Sequence, residues 1–208
     1  MQYLLQAVGI PCAYVCSEVY SNACHAFNIV KLGKYCYYLD VTWGDRSNTT
    51  NGNRDKDIID YGYCCVPYSD FILTSDSQKY CHIPSKELYP WFNKDLRANR
   101  HEYYRYNKAY VSRYNEDDLI RIFASTAARY DAREDGRFIV SFRCTGAELA
   151  KQLLVAVSDN AVYSRVVSKA KKLLGKNKRA QTLLSLPVER ITAGTGNIVC
   201  VVYKKKVK

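Results

Sequence analysis

The stretch CHAFNIVKLGKYCYYLDVTWGD, residues 24–45, holds two runs of β-branched and aromatic residues on either side of Leu32-Gly33-Lys34. Such side chains pack well on a pleated surface, and glycine takes the positive φ that a tight reversal needs. The pattern predicts two antiparallel strands over residues 21–32 and 34–43. A two-residue loop leaves two registers open. Gly33-Lys34 at the turn pairs His25 with Thr42 and Phe27 with Asp40, whereas Leu32-Gly33 pairs His25 with Asp40 directly. Both registers have the same parity. Because side chains alternate with period two, His25 and Asp40 share a face in either case, as direct or diagonal neighbours. A carboxylate placed there can hydrogen-bond the imidazole, fix its tautomer and stabilise its cation. An odd-length loop would put them on opposite faces, as an unrelated surface histidine and strand-end aspartate.

The same alternation turns Cys24 away from the histidine it adjoins. Cys12 and Cys16 belong to a preceding strand over residues 12–20, and Cys36 has the parity of Asp40 but lies near the turn. Packing is the role read for each of these thiols. Upstream, Tyr3, Leu4, Leu5, Ala7 and Val8 make a helical stripe that stops on Gly9, with Pro11 just beyond. A helix that opens without a cap on residue 1 reads as the tail of a longer one, and the chain as a fragment or one begun at an internal methionine.

In order, these residues are GIPCAYVC (residues 9–16) and then HAFNIVKLGKYCYYLDVTWGD (residues 25–45). They resemble the core of the transglutaminase-like (transglutaminase/protease) superfamily. In that family a helix leads to Gly-Ile-Pro, a strand follows, and His-Ala-Trp-Asn and Asp-x-Thr-Trp come on adjacent strands. The likeness implies a truncated transglutaminase-like, papain-like antiparallel sheet core over residues 1–95. It makes His25 the catalytic histidine, Asp40 its orienting acid, and Asn28 and Trp43 supporting residues. It further implies acyl transfer or amide hydrolysis on a protein or peptide substrate, at a glutamine or other amide side chain or a peptide bond. That chemistry uses a Cys-His-Asp triad and a thioester, and needs no cofactor or metal. Phe27 stands where the family usually has tryptophan. The family's nucleophilic cysteine sits at the amino end of the helix leading into Gly-Ile-Pro, ahead of Met1, so this chain is expected to be inactive or nearly so. Residues 68–85 and 99–120 resemble, more loosely, a carboxy-terminal extension of bacterial members.

Farther along, residues 44–57 read as a polar loop carrying an Asn48-Thr49-Thr50 sequon, and residues 58–93 as irregular chain and short helices packed on the first sheet. Residues 101–114 alternate as an exposed strand or two, so residues 96–114 are connecting strands. A helix capped by Asn115 follows, with Leu119, Ile120, Phe123 and Ala127 as its stripe. Then come a strand (136–144), a helix capped by Thr145 with Glu148 three residues later, a helix stopped near Gly175, and a closing hairpin turned about residues 194–197. Residues 115–208 thus form a small α+β domain.

Charge separates the two parts. Residues 1–95 carry 8 lysine and arginine against 10 aspartate and glutamate, and residues 96–208 carry 23 against 10. The excess gathers in residues 168–179 and 203–208, a surface that suits a polyanion such as nucleic acid or an anionic cell-wall polymer, or else a solvated helix face. A basic, non-catalytic binding module is therefore the competing class of function. No apolar run approaches the twenty or so residues of a membrane span. Of 9 cysteines, Cys64, Cys65 and Cys81 with His82 come nearest to a metal site, but their spacing is not that of a zinc site.

Overall fold

The computed structural model describes residues 1–19, 23–44, 61–67, 87–93, 102–130, 138–194 and 197–204, with backbone alone at 17–19, 23, 24, 43, 67 and 194. The polar loop with its sequon, Cys81, His82 and residues 68–85 lie outside the described residues. The chain is α+β, and its described residues divide into two compact units, one up to Tyr106 and one from Asn107 onward.

In the first unit, helix α1 (Gln2–Ala7) leads to a four-stranded antiparallel sheet in the order β1 (Cys12–Val19), β2 (Ala23–Leu32), β3 (Tyr35–Leu39) and β4 (Cys64–Pro67). Gly9 ends the helix at φ 79°, the left-handed conformation that favours glycine there. The stripe on α1 does not face the core as a whole. Leu5 packs against the sheet, while Tyr3, Leu4 and Val8 are exposed.

The sheet has two apolar faces. Ala13, Val15, Phe27, Ile29, Cys36 and Tyr38 form one core with Val66 and Phe92, and Tyr89 and Trp91 pack against it. Cys12, Val30 and Tyr37 form the other, with Leu5, Ile10, Leu32, Tyr35, Leu39 and Cys65 around them. Coverage on both sides explains why β2 and β3 read as nearly unbroken apolar runs rather than as clean alternation. Each large side chain withdrawn from water here contributes about 1.5–3 kcal/mol.

Two readings of this region are corrected. Strand β3 stops at Leu39, and residues Val41–Gly44 form a helical turn, α2, in place of the expected strand to residue 43. The Asp40 carbonyl accepts from Gly44 N at 3.1 Å, which puts Asp40 at the amino cap of that turn. Residues Tyr61–Tyr63 form a short 3-10 helix, as read, but Cys64–Pro67, expected to be irregular or helical, is strand β4 of the sheet.

The connecting segment also differs. Residues Tyr103–Tyr106 form a helical turn, α3, and β5 is only Tyr110–Val111. Glu102, Tyr104, Ala109 and Val111 are buried, so the alternation of aromatic and polar residues does not mark an exposed strand. Glu102 accepts from the backbone N–H of Tyr104 and Arg105, at 3.2 and 2.9 Å, and so caps α3.

The second unit is a mixed sheet in the order β5, β6 (Ile139–Cys144), β8 (Ile198–Tyr203), β7 (Val188–Gly194). Strands β5 and β6 are parallel, as the helical crossover α4 (Glu116–Arg129) between them permits, and the other pairs are antiparallel. Helices α5 (Ala147–Ser158), α6 (Asn160–Leu173) and α7 (Lys178–Leu183) complete it. Asn115 caps α4 by accepting from Asp117 N at 3.0 Å. Thr145 does not cap α5. The cap position is Gly146, and the Thr145 hydroxyl instead accepts from Tyr110 Oη at 3.1 Å. Arg165 on α6 donates twice to Glu116 at the start of α4, at 2.9 and 2.6 Å, and this guanidinium holds the Glu116 carboxyl below the ordinary range.

Candidate functional site

The β2–β3 register pairs Leu32 with Tyr35, Ile29 with Tyr38 and Asn28 with Leu39. This is the register with Gly33-Lys34 at the turn, and Gly33 takes φ 62° there. A glycine-led two-residue turn matches the twist of the strands it joins. Continued one step, the ladder would set Asp40 opposite Phe27 and diagonal to His25. The ladder ends at Leu39, however, and another element fixes Asp40: its N–H donates to the carbonyl of Tyr63 at 3.0 Å.

Held so, the Asp40 carboxylate lies 2.5 Å from His25 Nε2. The Asp40 side chain is wholly buried, while the imidazole keeps 14 % of its surface exposed. With Asp40 as an ionised acceptor, this contact would fix the tautomer that carries its proton on Nε2 and its basic lone pair on Nδ1. Beside the imidazole, Phe27 lies 6.4 Å away between ring centroids, and it packs at 4.1 Å on Tyr38. Phe27 thus fills the aromatic place beside the histidine without an indole N–H. The pair can orient a proton-accepting ring and stabilise its cation, with the ring partly exposed and the acid buried.

The other sequence-derived residues fall elsewhere. Asn28 is on β2 at the opposite parity to His25. Its amide donates to the carbonyl of Ala13 at 3.3 Å, so it supports the β1–β2 pairing from the far face. Trp43 lies on the helical turn α2, and its side chain is outside the described residues. Tyr63 was not read from the sequence as part of the site. Its contribution is a backbone carbonyl, which any residue supplies, so no side-chain pattern marks it.

Among the cysteines, Cys36 shares the site's face but pairs with Lys31 near the turn, and burial raises its thiol pKa. Cys12 is buried on the other face, and burial raises it as well. Cys16 is exposed and pairs with Ala26, at the parity of Cys12. The side chain of Cys24 lies outside the described residues. Among the described residues no cluster of three or more His, Cys, Asp or Glu could hold a metal ion, and no helix is long and apolar enough to cross a membrane.

In the second unit Lys169, Lys172, Lys176, Lys178 and Arg179 are exposed along the end of α6 and the start of α7. The Arg179 guanidinium also donates to the carbonyl of Tyr130 at 2.7 Å. Comparison with protein-family models and with curated proteins finds no match for this chain.

Proposed function

We propose that this chain carries the histidine and acid of a transglutaminase-like cysteine acyl-transfer or amide-hydrolysis site, His25 as general acid and base and Asp40 as its orienting group. The observation that supports it is the 2.5 Å contact between His25 Nε2 and a fully buried Asp40 carboxylate. In this reading Nδ1 takes the proton of a cysteine thiol, and the thiolate attacks the carbonyl carbon of a glutamine side chain or peptide amide. The imidazolium returns the proton to the leaving nitrogen, a thioester forms, and water or an amine resolves it with His25 again as base. A thiol at the amino end of a helix that leads into Gly9-Ile10-Pro11 would gain from the helix dipole and from the imidazolium, both of which lower its pKa. None of the cysteines described above occupies that place. Losing a triad nucleophile costs on the order of a millionfold in rate, so activity in this reading requires a cysteine at that place.

The test is to express the protein with the residues encoded immediately upstream of Met1 and to follow alkylation of its cysteines by iodoacetamide at pH 6. A cysteine in the extended helix that reacts fast, and slows with His25→Ala and Asp40→Asn, supports the assignment. Absence of such a cysteine, or a rate indifferent to both substitutions, overturns it.

The exposed lysines of α6 and α7 favour a second reading, in which the second unit binds a polyanion and the first is non-catalytic. Retention of the whole chain on heparin at low salt, lost with Lys169, Lys172 and Lys176 replaced by glutamine, supports it. Passage through the column at low salt discards it.

A further inference from the structure

Strand β4 opens on two consecutive cysteines whose placement is unusual for a strand. Successive side chains in a regular strand point to opposite faces, which keeps adjacent thiols apart. Here Leu39 is matched with Cys64 and Tyr38 with Val66, so Cys65 is the extra residue of a bulge and takes φ 53°. The bulge breaks the alternation: Cys64 is paired with Leu39, and Cys65 packs in the same cluster as Leu39, so both thiols lie on one face of the sheet. Both are free thiols and both are partly exposed. Immediately before them, the carbonyl of Tyr63 accepts the N–H of Asp40. The thiol pair therefore adjoins the backbone anchor of the acid that holds His25.

We propose that Cys64 and Cys65 are a redox modification site, an adjacent dithiol that a hydroperoxide closes to a disulfide, and that closure loosens the Tyr63–Asp40 anchor. The Cys64 thiolate attacks an oxygen of the peroxide. The O–O bond breaks, Cys64 becomes a sulfenic acid, and the departing oxyanion takes up a proton as water or alcohol. The Cys65 sulfur then attacks the Cys64 sulfur, the S–S bond forms, the S–O bond breaks, and a second water leaves with the Cys65 proton. Two thiols lose two electrons and two hydrogens in all, and the peroxide gains them.

The two thiols are shifted apart. The neighbouring Cys65 lowers the Cys64 thiol pKa, while Cys64 and burial raise that of Cys65. Cys64 is thus the better attacking thiol and Cys65 the resolving one. The product is strained, because neighbouring Cα atoms across a trans peptide are about 3.8 Å apart, whereas disulfides ordinarily span about 4.4–6.8 Å. Strain of this kind marks labile, regulatory disulfides. The peptides that must twist to relieve it are those of Tyr63, Cys64 and Cys65, one of which carries the carbonyl that Asp40 uses.

The whole chain, folded, is treated with hydrogen peroxide, alkylated and digested, with amide exchange followed by NMR on a parallel sample. The peptide spanning residues 64–65 should lose about two mass units, for the two hydrogens removed, and escape alkylation. Exchange of the Asp40 amide should rise about fivefold or more, and return with dithiothreitol. Before oxidation, phenylarsine oxide, which needs two neighbouring thiols, should bind the wild-type chain and block the mass loss; Cys64→Ser and Cys65→Ser should each abolish binding. The proposal is overturned if the peptide takes up two alkyl groups after peroxide, or if its disulfide forms with Asp40 exchange unchanged. The wild-type chain alone decides this should either serine variant fail to fold, and neither readout depends on acyl transfer.

Discussion

Asp40 lies one residue beyond the last pair of the β2–β3 ladder, and its carboxylate still reaches His25 Nε2 at 2.5 Å. The contact is therefore made by two fastenings. The β2–β3 register brings the chain to the right face, and the Tyr63 carbonyl then holds the Asp40 backbone where pairing with β2 has ceased.

The contact should appear as a coupling free energy. A charge-assisted hydrogen bond to a buried carboxylate contributes about 1.5–3 kcal/mol, so His25→Ala and Asp40→Asn should be non-additive by about that amount in a double-mutant cycle. Both tryptophans, Trp43 and Trp91, lie in the first unit, which makes urea unfolding followed by fluorescence the suitable measurement. Additivity within about 0.5 kcal/mol would show that the pair is not energetically linked.

Gly33 sets the register through its backbone. A Cβ built there meets nothing within 4 Å, so the cost of Gly33→Ala is conformational rather than steric crowding with neighbours. At φ 62° that cost is about 1–2 kcal/mol, and Gly33→Asn should cost less because asparagine tolerates the left-handed region. The same fluorescence measurement ranks the two.

Helix caps separate what is used from what is merely present. Asn115→Ala removes the acceptor of Asp117 N and should destabilise the second unit by about 1 kcal/mol. Thr145→Ala removes only an exposed bond to Tyr110 and should change stability by no more than about 0.5 kcal/mol. Circular dichroism melts of the two variants test the contrast.

Burial pushes the Cys144 thiol up to about 11 from 9.0, as expected of a residue 1 % exposed on β6. Between those values the unfolded chain has lost a proton that the folded chain keeps, so folding stability falls as pH rises through that window and is unaffected well below pH 9. Unfolding midpoints of Cys144→Ala, set against wild type from pH 8 to 11, should show a shallower alkaline decline in the variant. Identical slopes would refute the assignment.

The sequence made the first sheet readable because β1 and β2 are long and rich in apolar residues, and Gly33 punctuates the next hairpin. It placed His25 and Asp40 on one face because parity survives uncertainty about the turn. The end of β3 was less legible. Val41, Thr42 and Trp43 favour extension by propensity, yet pairing with β2 has run out and Asp40 caps a helical turn instead. Strand β4 is four residues long and joined through distant chain, so local pattern could not announce it. Asn28 shows a different limit, since its place in a motif gave its position on β2 while alternation aimed its amide at the face opposite His25.

The order of the second sheet bears on how this protein is made. Strand β8 pairs with β6 on one side and β7 on the other, and all six of its residues are buried, yet among the described elements it is the last to be synthesised. Until residues 198–203 leave the ribosome, β6 and β7 have no strand between them, and their apolar edges stay open to other chains. The sheet of the second unit must therefore wait for β8, while β1, β2 and β3 of the first can pair as hairpins during synthesis. A nascent chain stalled before residue 198 would expose the material for misassembly, and that waiting period is where a chaperone would be most needed.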